Sequence, residues 1–366
     1  MSFFINQQIS CYNKVMKKYN VGIIGIGQIA YVHMEALREL ENVSIVSLCS
    51  RSNVEEKALK LEITKYTSDY KEMIDHHGVD AVHICTPNDT HLEIARYAME
   101  RGVHVILEKP MTKDFKEAYE LYQLSLKYKV ICKIHFHNRF YPIHQYVKAH
   151  MDSIGDIFLI TGRYVQDWMG DPNKTNWRAN QKSSGLTRAI SDIGTHFFDL
   201  IEFVTNHQIV SVLASFKRVY DERAGEVIDT EDLGVVLFKT DKGAIGSCII
   251  SQVSIGHANQ LDYEINGKKG TIIHDGKSIF EATISKLNQE KESIKVDSIK
   301  QLKNEPPFKV LGFKDAFREA FRTFYHEIET NEPNDYATFK EGLHSMRIVD
   351  AIYESSIKES WININD

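Results

Sequence analysis

Between residues 19 and 136, short apolar runs alternate with amphipathic segments, and that alternation leaves few folds open. Apolar runs at 20–24, 43–49, 81–85, 103–107 and 130–136 predict strands. The helical periodicity between them predicts helices over 29–40, 53–61, 70–76, 90–101 and 115–128. This order builds a doubly wound parallel sheet, because parallel strands need a crossover and a helix supplies it. The first strand runs into VGIIGIGQIA, which spaces Gly25, Gly27 and Ala30 as G-x-G-x-x-A. Gly25 permits the tight turn, Gly27 lets the backbone approach a pyrophosphate, and Ala30 allows close helix packing; Gln28 and Ile29 begin the helix whose N–H groups face the anion. A motif that follows a strand and opens a helix predicts a dinucleotide site.

The second strand ends in LCSRS. A site for NAD usually places an acidic residue there to bind the ribose hydroxyls, whereas Ser50 and Arg51 suit a 2′-phosphate. The expected cofactor is therefore NAD(P), with NADP favoured. CTPNDTH puts Thr86, Pro87, Asn88 and His91 beyond another carboxyl strand end, where ligands bind in such sheets. HVILEKPM ends its apolar run on Glu108, Lys109 and Pro110, so charge leaves the core where the sheet opens towards the nicotinamide. Pro110 restricts Lys109 to extended backbone and admits a cis bond.

The 366 residues favour about two domains. Lys plus Arg number 44 against 50 Asp plus Glu, a formal charge of −6, and no block of like charge offers a surface for nucleic acid or membrane. A small molecule is the expected partner. The start of the chain lacks a basic segment before an apolar core, and no segment approaches the length of a membrane span, so a cytoplasmic location is expected, with residues 1–18 as an extension outside the fold. Cys11, Cys49, Cys85, Cys132 and Cys248 are odd in number and never spaced C-x-x-C, which reads as buried thiols in a reducing compartment. Cys132, His135 and His137 have ligand-type side chains, but KVICKIHFH alternates like a strand, and no metal is expected.

From about residue 154 strands recur with hairpin punctuation: DIFLITGRYVQD, IVSVLASFKRV, DLGVVLFKT, AIGSCIISQV, QLDYEI and GTIIHD. They predict a largely antiparallel sheet, followed by helices over 312–329 and 338–359, with Pro306, Pro307 and Pro333 as breaks. SGLTRAISDIGTHFFDLIEFV reads as a helix entered near Ser191, on which Asp192 and His196 share a face. GRYVQDWMGDPNKTNWR offers Tyr164, Gln166, Trp168 and Arg178, aromatic rings beside polar groups that suit a polyhydroxylated ring. Arg163, Arg178 and Arg188 leave an acidic or phosphorylated sugar open.

The glycine turn, CTPNDTH, EKP at 108–110 and DIGTH at 192–196, in this order and spacing, resemble the Gfo/Idh/MocA family of NAD(P)-dependent oxidoreductases. The resemblance implies a Rossmann domain over 19–137 and a C-terminal α+β domain over 138–366 with a large, mostly antiparallel open sheet. It implies a homodimer or homotetramer formed through that sheet, and it puts Lys109, Asp192 and His196 in catalytic positions. Ser50 and Arg51 depart from the acidic residue of many NAD-using members. The expected reaction is hydride transfer between nicotinamide and a secondary alcohol or ketone of a sugar, cyclic polyol or derivative. Either His196 or Lys109 takes the hydroxyl proton. A hydrolase that retains its nucleotide, or a noncatalytic dinucleotide sensor, are the alternatives.

Overall fold

The computed structural model describes residues 17–295 and 312–364. Most of the expected extension, with Cys11, and the breaks at Pro306 and Pro307 lie outside the described residues. The first half consists of β1 (Tyr19–Ile24), α1 (Gln28–Leu37), β2 (Val43–Cys49), α2 (Val54–Lys60), β3 (Lys65–Thr67), α3 (Tyr70–His76), β4 (Ala81–Ile84), α4 (His91–Glu100), β5 (His104–Leu107), α5 (Phe115–Lys127) and β6 (Cys132–Ile134). The strands form one parallel sheet in the order β3-β2-β1-β4-β5-β6. Its direction of winding reverses between β1 and β4, which opens a crevice at their carboxyl ends. The short edge strand β3 was not foreseen: it has three residues, and only Thr67 is buried.

Gly25 stands at that crevice with φ +86°, and a Cβ there would meet the backbone carbon of Cys85 at 2.8 Å. Only glycine brings β1 and the exit of β4 this close.

The second half adds α6 (Pro142–His150), β7 (Ile157–Val165), α7 (Gln181–Ser184), α8 (Thr195–Thr205), β8 (Ile209–Lys217), the hairpin β9 (Glu222–Arg223) and β10 (Glu226–Val227), then β11 (Leu233–Thr240), β12 (Ile245–Ser251), β13 (Gln260–Gly267), β14 (Gly270–His274), β15 (Glu281–Lys286), β16 (Glu292–Lys295), α9 (Phe313–Thr330), α10 (Phe339–Lys358) and β17 (Ile362–Asn363). Nine of these strands form a sheet ordered β16-β15-β14-β13-β7-β12-β11-β8-β17 among the described residues. All neighbours are antiparallel except β7 and β12.

Gly162 on β7 leaves room for the Phe197 ring, which a Cβ would meet at 2.6 Å. Phe197, Phe198, Leu200 and Ile201 of α8 are fully or almost fully buried, each contributing about 1.5–3 kcal/mol of apolar transfer. Helix α8 is thereby fixed over β7, and this placement carries His196. Helices α9 and α10 return to the first sheet, α9 against α1 and α10 against α5. Backbone joins them too: Ile134 N–H donates to the Ala337 carbonyl at 2.9 Å.

Candidate active site

Strand β5 ends just before Glu108 and Lys109, and the Lys109–Pro110 peptide is cis. Lys109 Nζ donates to Asp192 Oδ1 at 2.7 Å and to the Asp192 carbonyl at 2.8 Å. Asp192 also accepts from Arg178 Nε at 3.2 Å and from Gln252 Nε2, on Oδ2, at 2.7 Å. Burial alone would raise its carboxyl pKa, but the Lys109 and then Arg178 charges overcome that and hold it well below the usual range.

The expected α-helical entry near Ser191 is instead a π turn over Ile190–Gly194 that leads into α8. Its backbone closes from Thr195 N–H to the Ile190 carbonyl. Both Asp192 and His196 nonetheless line one cavity of about 340 Å³. The start of this buried turn is capped from far away in sequence: Glu231 accepts from the N–H groups of Arg188, at 2.9 Å, and Ile190, at 2.9 Å. Burial pushes the Glu231 carboxyl up to about 7.

His196 lies among the rings of Phe136, His137 and Tyr164, and its buried Nδ1 has no hydrogen-bond partner. Burial, then the Lys109 cation, lower its pKa well below the ordinary value, so at neutral pH the imidazole is neutral. His137 is likewise pushed down to about 3, first by burial. It lines the same cavity as His196, as do Phe313 and Phe317. Phe313 and Phe317 carry no mark in the sequence, since the docking of α9 brings them in, whereas His137, which the sequence marks only as a ligand-type side chain, stands just beyond β6.

The expected substrate residues Tyr164, Gln166, Trp168 and Arg178 all face this cavity, joined by Asn176 and Asn259. Strand alternation separates Tyr164, which points inward, from Arg163, which pairs with Asp262 on the outer face. Arg188 is a correction to the open question of an anionic substrate: it is fully buried and ion-paired with Asp232, so it reaches no ligand.

A second cavity of about 770 Å³ continues from the first along the crevice. Gly25, Gly27, Gln28, Ile29, Ser50, Arg51, Thr86, Pro87, Asn88, Glu108 and Lys109 line it, with Lys57 and Trp177. A Cβ built on Gly27 would meet nothing within 4 Å, and α1 starts with no side-chain cap. That open space before uncapped N–H groups is what a pyrophosphate requires. His91 is different. It is fully buried, with its ring nitrogens 2.9 Å from the Thr86 carbonyl and 3.1 Å from that of Pro110, so it ties the β4 and β5 exits together rather than facing the groove.

Glu108 finds its partner in His33 of α1, Oε1 to Nε2 at 2.9 Å. His33 in turn meets His83 at 2.9 Å, and His83 meets the Tyr325 hydroxyl at 2.9 Å. Of Cys132, His135 and His137, it is His135, just beyond β6, that joins this cluster: His33, Glu108 and His135 bring ligand-type atoms within 4.8 Å of one another.

The sequence model described as the oxidoreductase family's NAD-binding Rossmann fold matches residues 19–136, and its C-terminal alpha/beta domain matches 150–364. The chain belongs to the Gfo/Idh/MocA oxidoreductase family. It is an oxidoreductase of the dehydrogenase type, as are its named relatives. Levoglucosan dehydrogenase of Pseudarthrobacter phenanthrenivorans is 26% identical, covering 95% of this chain and 99% of that protein. Myo-inositol 2-dehydrogenase of Thermotoga maritima is 24% identical, covering 86% and 89%. The crystal structure of an oxidoreductase domain protein from Kribbella flavida superimposes with a TM-score of 0.89 at 25% identity, covering 96% of this chain and all of that one. The Gfo/Idh/MocA assignment matches the parallel six-stranded and mostly antiparallel nine-stranded sheets found here. Among the described residues no helix is long and apolar enough to cross a membrane.

Proposed function

We propose that the protein oxidises a secondary alcohol of a monosaccharide-sized sugar or cyclic polyol, in the reversible sense, with NADP preferred over NAD. The observation that carries this is the convergence of Lys109, Asp192 and His196 in one small cavity that opens onto the glycine-lined crevice. Gly25, Gly27, Gln28, Thr86 and Asn88 would hold the dinucleotide. When bound, it supplies the hydride acceptor. Lys109, fixed on Asp192, presents N–H donors to the reacting oxygen and stabilises its developing negative charge. His196, a neutral imidazole that lines the cavity, takes the hydroxyl proton. Asp192 stays ionised and orients Lys109. Tyr164 and Trp168 cover the apolar face of a sugar ring, while Gln166, Asn176, Asn259 and Arg178 bind its hydroxyl rim.

The NADP preference is supported by Arg51 and Lys57 on the crevice wall, with Ser50 and Ser52 and no acidic side chain lining it at that point. The test is turnover of levoglucosan, myo-inositol, scyllo-inositol and glucose 6-phosphate with each dinucleotide. A kcat/KM at least tenfold higher with NADP+ is expected, and a preference for NAD+ would reject that part. The buried free thiols Cys49, Cys85, Cys132 and Cys248 support a cytoplasmic site of action.

Val235, Leu237, Ile245 and Ile249 form an exposed apolar strip on the outer face of the large sheet. This supports association of copies through that face. Light scattering is expected to give a dimer or tetramer, and Val235→Lys with Ile249→Lys to give monomers. A monomeric wild type contradicts it.

A further inference from the structure

Gln252 follows β12 directly, is fully buried, and none of the family motifs includes it. Its Nε2 donates to Asp192 Oδ2 at 2.7 Å, and its Oε1 accepts from Arg188 Nε at 3.2 Å. An arginine only donates and a carboxylate only accepts, so this pair of neighbours permits one orientation of the amide. Arg188 is itself fixed: Asp232 binds its guanidinium, and Glu231 accepts from its backbone N–H. Asp232 is fixed in turn by Arg223 at 2.8 Å and by the N–H groups of Val219 at 2.6 Å and Tyr220 at 3.1 Å. The Gln252 backbone is held on both sides, donating to the Asp232 carbonyl at 3.1 Å and accepting from Met169 N–H at 3.1 Å.

We propose that Gln252 is the positioning residue of Asp192, and that buried Arg188 sets which end of its amide faces the site. The two cations, Lys109 and Arg178, both act on Oδ1. Gln252 supplies the donor on Oδ2, and so fixes the rotation of the carboxylate about its own axis. That rotation determines where Lys109 Nζ points. With the amide reversed, an oxygen would oppose Oδ2 and the carboxylate would turn away. The other groups around Asp192 are His196 one helical turn on and Tyr164 from β7, and neither makes a hydrogen bond to it. Arg188 and Gln252 thus connect the buried Asp232–Arg223 pair to the reacting centre through three consecutive polar contacts.

The kinetic part of the test rests on the proposed alcohol oxidation; the crystallographic part does not. Gln252→Glu keeps the acceptor that Arg188 needs and replaces the donor to Asp192 with an acceptor. If Gln252 served only to satisfy Arg188, this variant would be as stable and as active as wild type. Positioning predicts the opposite: kcat falls by about 100-fold or more, and the acidic limb of the pH–rate profile moves to higher pH as two facing carboxyls share a proton. The dissociation constant for the reduced dinucleotide stays within about twofold. Gln252→Met, which removes the donor without adding charge, loses about 10- to 100-fold in kcat, as expected for one donor to a charged acceptor, and covers the case in which the glutamate variant does not fold. A crystal structure of either variant reads the carboxylate directly: displaced Asp192 Oδ2 supports the proposal. An unmoved carboxylate with wild-type kcat and an unshifted profile overturns it. A wild type that binds dinucleotide yet oxidises no polyol rejects the alcohol oxidation instead, and the carboxylate position then decides the role of Gln252 alone.

Discussion

Lys109→Met will lower kcat for alcohol oxidation by about 10³-fold and leave dinucleotide affinity within about twofold of wild type. Lys109 touches both the Asp192 carboxylate and its carbonyl, and it lines both cavities. Losing it removes the cation next to the developing alkoxide, a loss of about 10²–10³ for one such donor, and loosens the geometry of the proton transfer. Asp192 retains Arg178 and Gln252, so the fold tolerates the change. The pH profile adds a specific signature. The Lys109 charge is one of the causes that depress His196, so its removal raises the His196 pKa and moves the acidic limb to higher pH. Steady-state kinetics from pH 5 to 9 check both. An unchanged kcat would remove Lys109 from the mechanism, and a lost dinucleotide affinity would make it a cofactor residue instead.

The fold will lose stability steeply between pH 6.5 and 5. Burial holds His83, His135, His144 and His196 well below the ordinary histidine value of 6.5, and His137 at about 3. These side chains are neutral when folded and take up protons on unfolding once the pH drops below 6.5, so the stability they contribute is present above that value and is lost as pH falls. Three carboxyls act in the opposite sense: burial raises Glu231 to about 7, Asp199 to about 6 and Asp350 to about 6, so they bind protons in the folded state. With His91 and His274 also lowered by burial, the histidines outnumber these carboxyls, so unfolding takes up protons on balance and stability falls by on the order of a few kcal/mol per pH unit. A domain of ordinary stability has about 5–15 kcal/mol in all, so a pH of 5 removes a large share. Urea midpoints measured from pH 7.5 to 5 will fall accordingly. A flat or rising midpoint would mean that these histidines are charged in the fold.

The parts of the site visible in the sequence were those with a local physical cause. Gly25 marks a turn that only glycine can make, Gly27 leaves open space before α1, and Lys109 shows itself as charge at the end of an apolar run. Gln252 carries a weaker mark of the same kind, since it follows Ser251 at the end of β12 and a neutral amide is less conspicuous than a charge. Glu231 and Asp232 cap and pair with residues some 40 positions away, at Ile190 and Arg188, and no spacing rule reaches that far. Arg188 was open as a ligand for an acidic sugar because its partner, Asp232, becomes a neighbour only through the sheet. The parallel pairing of β7 with β12 inside an otherwise antiparallel sheet is a property of topology, not of either strand's pattern. Phe313 and Phe317 likewise enter the cavity through α9, whose docking on α1 is a tertiary event.

The central claim, hydride transfer from a ring carbinol carbon next to Lys109, Asp192 and His196, is tested most directly by isotope transfer. The wild-type protein is mixed with NADP+ or NAD+ and with ring-deuterated levoglucosan, myo-inositol, scyllo-inositol or glucose 6-phosphate, and the nicotinamide product is examined by mass spectrometry. The prediction is that at least one of these yields reduced dinucleotide carrying one deuterium, in equal amount with the ketone, and that Lys109→Met suppresses it. Bound dinucleotide that acquires no deuterium from any of them, or a glycosidic bond cleaved with the dinucleotide's redox state unchanged, would contradict it.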